Sequence, residues 1–376
     1  MSHMDADFIV VGAGIAGASI AYWLSQKATV LVLERESQAG YHSTGRSAAL
    51  FMASYGPPQV RALTCASRAF FAQPPTGFCD HPLLTPRGAL VFATQGQEAQ
   101  LAAHEALVRA SSGQAACLTP AQALARVPVL EVAGLIGAVL EEDASDIDVD
   151  ALLQGFLRGA RASGSRIVFD AGIDDLARSG AAWEVTVGTR VYRAPVLVNA
   201  AGAWADALGA CAGAAPIGLV PKRRSAMLFA PPAGMPIARW PMFMDVAQSF
   251  YVKPDAGMLL GSPCNADSVA PHDVQAEELD IAIAIDNIER MTSLRVRRPQ
   301  HVWAGLRSFV ADGELVGGYD AQVPSLFWAA AQGGYGIQTA PAAGQLYAAL
   351  LLGAKVPDAI AAWGVDPAAL DPARLR

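Results

Sequence analysis

The chain has 376 residues, more than one ordinary hydrophobic core holds and enough for two domains. Hydrophobic residues make up 53% and charged residues 16%, which excludes a disordered or nucleic-acid-coating chain. A net charge of −7 with no basic stripe argues against a polyanion partner, and no stretch reaches the ~18 uninterrupted apolar residues of a membrane span.

The first four residues, Met1 to Met4, read as a cloning remnant without a signal-peptide pattern. Five scattered cysteines lacking CxxC spacing read as structural thiols of a reducing cytoplasm. Phe8 to Val11 is a short, β-branched apolar run, the pattern of a buried parallel strand. Gly12, Gly14 and Gly17 follow in GxGxxG order and open a helical stretch. Gly12 permits the tight turn, Gly14 lets the backbone approach a pyrophosphate, and Gly17 lets helix and strand pack closely. A second strand, Val30 to Leu33, ends in Glu34, placed to accept from the ribose hydroxyls of an adenosine. The glycines alone are weak evidence; with strand, helix and terminal acid in one unit they point to a dinucleotide site. Glu34 repels a 2′-phosphate, so NADP is the least favoured dinucleotide even though Arg35 follows.

Ser37 to Ala49 is rich in hydroxyls and backbone donors, carries Arg46, and offers a second cradle for the diphosphate and the ring beyond it. Pro57 to Ala72 has helical period. Prolines 74, 75, 82 and 86 then break the chain before a strand at Ala89 to Ala93, where it is expected to cross into a second domain. Glu98 to Val108 and Thr119 to Arg126 read as helices, the latter capped by Thr119 with Pro120 behind it, and Leu135 to Leu140 as a strand. The acids Asp143, Asp146, Asp148 and Asp150 bring a metal to mind, but they alternate around a turn. Capping of a helix Ala151 to Ala162 by Asp148 or Asp150 is the preferred reading.

A strand meander covers 166–193, and Val196 to Asn199 meets a small-residue turn at Ala200, Ala201 and Gly202 that returns the chain to the first sheet. Pro221 to Phe229 starts with three cations. Strand alternation puts Lys222 and Arg224 on one face and Arg223 on the other, so at least one points inward. Trp240 to Met244, Ser249 to Pro254 and Met258 to Gly261 suggest a second, antiparallel layer, and Gln275 to Arg290 an amphipathic helix. Arg307 lies inside an apolar strand end, which is costly unless it is paired. Phe327 to Gln338 is a strand entering a glycine-rich turn before a helix at Ala342 to Leu352.

Six stretches together resemble the flavin-dependent D-amino-acid dehydrogenase, glycine oxidase and sarcosine oxidase family, and most of all its soluble catabolic D-arginine dehydrogenase branch. They are Gly12–Gly17 with Glu34, Gly40–Ala49, Val198–Ala203, Pro221–Ala226, Gly305–Gly313 and Gln332–Gln338, spread over nearly the whole chain. The resemblance implies a mixed α/β (α+β) fold. A Rossmann-like FAD-binding domain would be built from 5–80, 145–220 and 305–376, and an antiparallel-sheet substrate domain from 81–144 and 221–304. It implies FAD held without a covalent bond, since the segment after Arg307 offers no Cys and His42 is the only His near the early loop. The FAD contacts it implies are Gly12, Gly14, Gly17, Glu34, Arg35, Ser43, Thr44, Arg46, Ser47, Ala48, Ala49, Leu50, Ile173, Ala201, Gly202, Gly305, Arg307, Gly333, Gly334, Tyr335, Gly336, Ile337 and Gln338.

By the same resemblance Arg224 and Arg307 fix a substrate carboxylate, Tyr55 and Tyr251 close over the substrate as lids or hydrogen-bond its polar groups, and the carbonyls of Gly305 and Gly334 face its amine. The implied reaction is oxidative deamination of a D-amino acid, with hydride moving from Cα to flavin N5 and the imine hydrolysing to a 2-oxo acid and ammonia. Electrons then pass to O2, a quinone or another acceptor. The helix after Gly336 would aim its positive end at the flavin edge where charge grows. Four features depart from the arginine-acting branch: Gly88-Ala89-Leu90 carries no carboxylate, Gln248 precedes Tyr251, and Leu50 and Met52 are apolar. A buried guanidinium would be unpaired there, so neutral or apolar D-amino acids are expected over D-arginine. Alternatives are oxidation of glycine or of secondary amines such as sarcosine, a NAD-dependent dehydrogenase, and an FAD-binding electron-transfer subunit.

Overall fold

The structure, a computed structural model, describes residues 4–111 and 115–376. Phe8–Val11 sits inside a six-stranded sheet in the order Val316–Tyr319, Leu326–Ala330, Val196–Asn199, Phe8–Val11, Val30–Leu33, Arg166–Val168. Every pairing is parallel except that of the edge strand Val316–Tyr319. Ile9, Val10, Leu31, Val32, Leu197 and Val198 are fully buried, so both faces of this sheet are covered and continuous apolar runs are what it needs. Helices Val149–Ala162 and Gly336–Leu351 each pack on helix Ile15–Leu24 beside it. A three-stranded antiparallel meander, Asp175–Ser179, Ala182–Val187 and Arg190–Ala194, leads back to the Val196 strand.

The second large sheet has nine strands and is mostly antiparallel, with Met242–Asp245 running parallel to Ala89–Thr94. Its alternation separates two environments. Phe92, Phe243, Phe250 and Val252 belong to a core shared with helix Glu278–Met291. The opposite face carries Val91, Met244 and Tyr251 in one row and Ala89 with Met242 in the next, and Lys253 lies on the same face as Tyr251. This second row continues into Glu141, which pairs with Ala89.

Several expected boundaries move. The last long helix starts at Gly336 rather than Ala342, because the last glycine of the turn already enters the helix and Pro341 is accommodated inside it. The Pro341 carbonyl accepts from Trp23 Nε1 at 3.1 Å. The strand expected from Ser249 begins at Tyr251, since the Asp245 carboxylate takes the Ser249 N–H at 2.7 Å and holds a turn there. Thr119 and Gln122 form a reciprocal capping box. Asp148 caps helix Val149–Ala162, accepting from the Ala151 N–H at 2.8 Å. The other acids of that run have protein partners as well: Asp143 pairs with Arg68 at 2.7 Å, and Asp146 bridges Arg87 at 2.7 Å and Lys253 at 2.9 Å. Asp150 accepts from the Gln154 amide at 3.3 Å.

Candidate active site

The Phe8 strand ends at a cavity of about 510 Å³ whose wall includes Gly12, Gly14, Glu34, Arg35, Ser43, Ile173, Ala201 and Gly202. Gly12 has φ +104°, and a Cβ there would lie 2.5 Å from the Ala200 carbonyl oxygen, so the turn requires glycine. Gly17 is outside the cavity wall; a Cβ on it would run into the Gly12 carbonyl, and its absence lets the helix sit down on the strand. Glu34 accepts from the Ala13 N–H at 2.7 Å and the Glu36 N–H at 3.0 Å, which fixes its carboxylate at the strand end. Gly14 gives helix Ile15–Leu24 no side-chain cap, while Thr44 Oγ1 accepts from the Ile15 N–H at 3.0 Å. The Arg35 guanidinium lies 4.0 Å from the centroid of Trp204, another wall residue.

Two further cavities continue from the first. Ser43 and Thr44 are shared with a narrow space of about 90 Å³ that is also lined by Arg46, Ser47, Ala48, Gly305, Gly333 and Gly336. That space shares Ser47, Ala48, Arg224, Tyr251, Arg307, Gly334 and Ile337 with a chamber of about 800 Å³. A trench therefore runs from Glu34 to the start of helix Gly336–Leu351, with the N-terminus of helix Ile15–Leu24 at one end and that of Gly336–Leu351 at the other. Its length, its two helix ends and its hydroxyl-rich middle fit an extended dinucleotide diphosphate.

The chamber wall also contains Leu50, Tyr335 and Gln338. The Gln338 amide is occupied, accepting from the Met52 N–H at 3.2 Å and donating to Thr64 Oγ1 at 2.8 Å. It ties the Leu50–Met52 segment to the last helix. The Arg46 side chain is likewise engaged, by the Val274 and Ala304 carbonyls at 2.9 and 3.2 Å and by Asp273. Ala49 turns the chain toward the chamber with φ +38°.

Arg223 and Arg224 point to opposite faces of strand Val220–Phe229. Arg223 meets Asp267, Glu277 and Asp280. Arg224 faces the chamber together with Arg307 from the neighbouring strand His301–Phe309, and no carboxylate lies within 4.0 Å of either among the described residues. Arg224 Nε donates to the Asn265 carbonyl at 2.6 Å, and Arg307 donates to Tyr55 Oη at 3.2 Å. Enclosure, and then the neighbouring Arg307 charge, lower the Arg224 pKa. Two unneutralised guanidiniums in one wall cost free energy and are able to receive an anion.

Behind them, Asp280 accepts from Arg223 Nε at 2.8 Å, Ser225 Oγ at 2.7 Å and Asn265 Nδ2 at 3.0 Å. Asn265 Oδ1 takes the Ser225 N–H at 2.8 Å. This buried network holds the Asn265 carbonyl on which Arg224 rests. Enclosure also raises the Tyr251 phenol and the Cys264 thiol, and burial followed by Tyr55 pushes Tyr335 up to about 12.

No Asp or Glu lines the chamber among the described residues. Glu141 lies opposite Ala89, so a carboxylate does stand beside the strand position read as lacking one. It turns away, accepting from the Ala53 N–H at 2.8 Å and from Ser54 Oγ, and burial raises its pKa. The side-chain end of the chamber is built instead from Met52, Val91, Met242 and Met244, with Gln248 and Lys253 in the same wall.

The sequence profile of FAD-dependent oxidoreductases (DAO) matches residues 7–350. The chain belongs to that family. Its cofactor is therefore FAD, and the trench fits it: the Gly12–Gly14 turn and Glu34 would hold the adenosine, Ser43, Thr44 and Ser47 the diphosphate, and the Gly333–Gly336 turn the flavin end. This DAO-family chain is 23% identical to mouse FAD-dependent oxidoreductase domain-containing protein 1, over 93% of the chain and 82% of that protein. In structure it resembles glycine oxidase from Geobacillus kaustophilus, with a TM-score of 0.79, 21% identity and 93% and 95% of the two chains covered. L-proline dehydrogenase from P. horikoshii gives a TM-score of 0.83 at 19% identity, covering 99% and 98%. L-amino acid deaminase from Proteus vulgaris gives 0.81 at 15%, covering 99% and 97%.

Met242, Met244, Asn265, Cys264 and His104 line or support the chamber and were not singled out as site residues in the sequence. The two methionines were within reach, because alternation along Trp240–Met244 places them on one face. The others are brought in by strand and helix packing that no local pattern announces.

Proposed function

We propose that this flavoprotein oxidises D-amino acids with neutral or apolar side chains to 2-oxo acids and ammonia. The observation that carries the reading is the pair Arg224 and Arg307, in a chamber wall without a carboxylate and adjoining the start of helix Gly336–Leu351. An amino acid carboxylate completes that pair. We take 5–80, 145–220 and 305–376 as the FAD-binding domain and 81–144 with 221–304 as the substrate domain.

Bound FAD supplies the two-electron acceptor, and the chain supplies binding and orientation. Arg224 and Arg307 grip the carboxylate, with Tyr55 holding Arg307 and Asn265 holding Arg224. A Cβ on Gly334 would lie 2.8 Å from Tyr55 Oη and 3.0 Å from an Arg307 nitrogen, so any larger residue there shifts those two side-chain ends. The Gly334 carbonyl and that of Gly305 are the assigned acceptors for the substrate amine. The amine has to be neutral to release the Cα hydride, and no wall carboxylate takes its proton, so the proton leaves to water. Loss of hydride and proton gives the imine, which water converts to the 2-oxo acid and ammonia. Met52, Met242 and Met244 offer the side chain an apolar surface, and a guanidinium there would find no anion.

Anaerobic mixing of the yellow holoenzyme with D-methionine, D-leucine, D-phenylalanine, D-arginine, their L-isomers, glycine and sarcosine tests this. The neutral D-isomers should bleach the flavin with the highest kcat/KM. A higher kcat/KM for D-arginine, for the L-isomers or for sarcosine would contradict it.

A further inference from the structure

One wall of the chamber has no part in gripping the carboxylate. Gln100, Ala103, His104 and Leu107 line it from helix Glu98–Ser111, at the i, i+3, i+4, i+7 spacing of a single helix face. The helix packs on strands Ala89–Thr94 and Leu135–Glu141, so it lies over the sheet that supplies Val91 and Met244 to the same chamber. Val108 is the buried residue of this helix; Gln100 and Ala103 are exposed at the chamber's mouth, and His104 and Leu107 sit half-buried below them. Enclosure lowers the His104 pKa, leaving a neutral imidazole at physiological pH. Lys253 is the wall's third cation, and Asp146 neutralises it at 2.9 Å. Among the described residues, this end of the chamber therefore presents no free charge.

We propose that this helix face is a second subsite, which receives the far end of a long apolar or aromatic substrate side chain, with Leu107 and His104 setting the size it accepts. The inference rests on the reading of Arg224 and Arg307 as the carboxylate grip. The chamber's volume of about 800 Å³ supports it. Part of that volume adjoins the flavin end of the trench, and the helix face of Gln100 to Leu107 lines another part of it. A small substrate held at the arginines leaves the helix face untouched, whereas a side chain of leucine length or more extends toward it. Exposed Gln100 and Ala103 would let a still longer chain emerge rather than be refused.

The test uses the holoenzyme with Leu107→Trp and Leu107→Ala, and kcat/KM measured on D-alanine, D-leucine, D-phenylalanine and D-tryptophan and on the L-series. Filling the subsite with Trp should cut kcat/KM for D-phenylalanine and D-tryptophan by ~10-fold or more, while D-alanine stays within ~2-fold. Emptying it with Ala should lower D-phenylalanine several-fold through lost contact and again spare D-alanine. The flavin spectrum and Tm of each variant establish that it has folded. If Leu107→Trp fails to fold, the Ala variant carries the comparison. Equal change across the series, or none, with an active wild type overturns this inference alone. A wild type that no amino acid bleaches overturns both this inference and the reading of the arginines.

Discussion

Replacing Arg307 by Met should make the protein more stable and far less active. Arg224 and Arg307 share a chamber wall with no carboxylate partner among the described residues, and the Arg307 charge disfavours that of Arg224. Removing one guanidinium relieves both its desolvation and the repulsion. Replacing a buried ion pair by apolar side chains of similar size is worth up to ~1–4 kcal/mol, and an unpaired charge lacks even the attraction of a partner. The chamber admits water, so the lower part of that range, ~1–2 kcal/mol, is expected after screening. For a chain of this length that is roughly 1–3 °C in Tm. The same change leaves a bound carboxylate half-gripped, a loss of ~2–5 kcal/mol in transition-state binding, or ~30- to 5000-fold in kcat/KM. Differential scanning calorimetry of the holoenzyme, with and without a saturating simple carboxylate such as benzoate, reads the first effect. Carboxylate at ~100 times its Kd should add ~2.7 kcal/mol to the wild type and much less to Arg307→Met. Steady-state kinetics on D-leucine read the second. A variant that is less stable than wild type, or that keeps kcat/KM within about threefold, would refute the account of these arginines as an uncompensated anion site.

Gly334→Ala should displace Tyr55 and Arg307 by the contacts a Cβ would make. It is expected to lower kcat/KM by ~100-fold with FAD still bound, checked by the flavin spectrum alongside the kinetics. Val91→Glu adds a carboxylate to the chamber wall beside Met244. It should raise kcat/KM for D-arginine by ~10-fold or more and lower it for D-leucine, read from the ratio of the two. The pH profile of kcat/KM should rise through the alkaline range toward the pKa of the substrate amine. No wall carboxylate serves as base, and enclosure holds Tyr251 above its ordinary value, so it stays neutral there. A limb that stays fixed near pH 6 for substrates with different amine pKa values would instead reveal an enzymic base.

How much of this was legible in the sequence follows from how far each feature depends on distant partners. The Gly12–Glu34 unit was readable because strand, turn and helix impose their chemistry within one short stretch, and Gly12 fills the position where a Cβ would strike Ala200. The opposite facing of Arg223 and Arg224 follows from strand alternation alone. Arg307 was conspicuous as a charge in an apolar strand, and its position beside Arg224 comes from the pairing of two strands about eighty residues apart. The Asp280–Asn265 support was not legible, since it requires helix Glu278–Met291 to lie over strand Val220–Phe229. Glu141 escaped notice because only the pairing of Leu135–Glu141 with Ala89–Thr94 brings it opposite Ala89, and only the burial of Ser54 explains why its carboxylate turns away. The helix Glu98–Ser111 was readable as a helix, but its Gln100–Leu107 face became a wall only through packing on two strands.

The central claim is that Arg224 and Arg307 hold a substrate carboxylate against the flavin. Anaerobic bleaching by D-leucine and by D-leucinamide, compared over a range of concentrations in the same holoenzyme preparation, tests it most directly. The two share side chain, Cα and amine, and differ only in the group the arginines would grip. D-leucine should bleach the flavin, and D-leucinamide should do so with a kcat/KM lower by ~100-fold or more. Equal bleaching by the two compounds would contradict the claim.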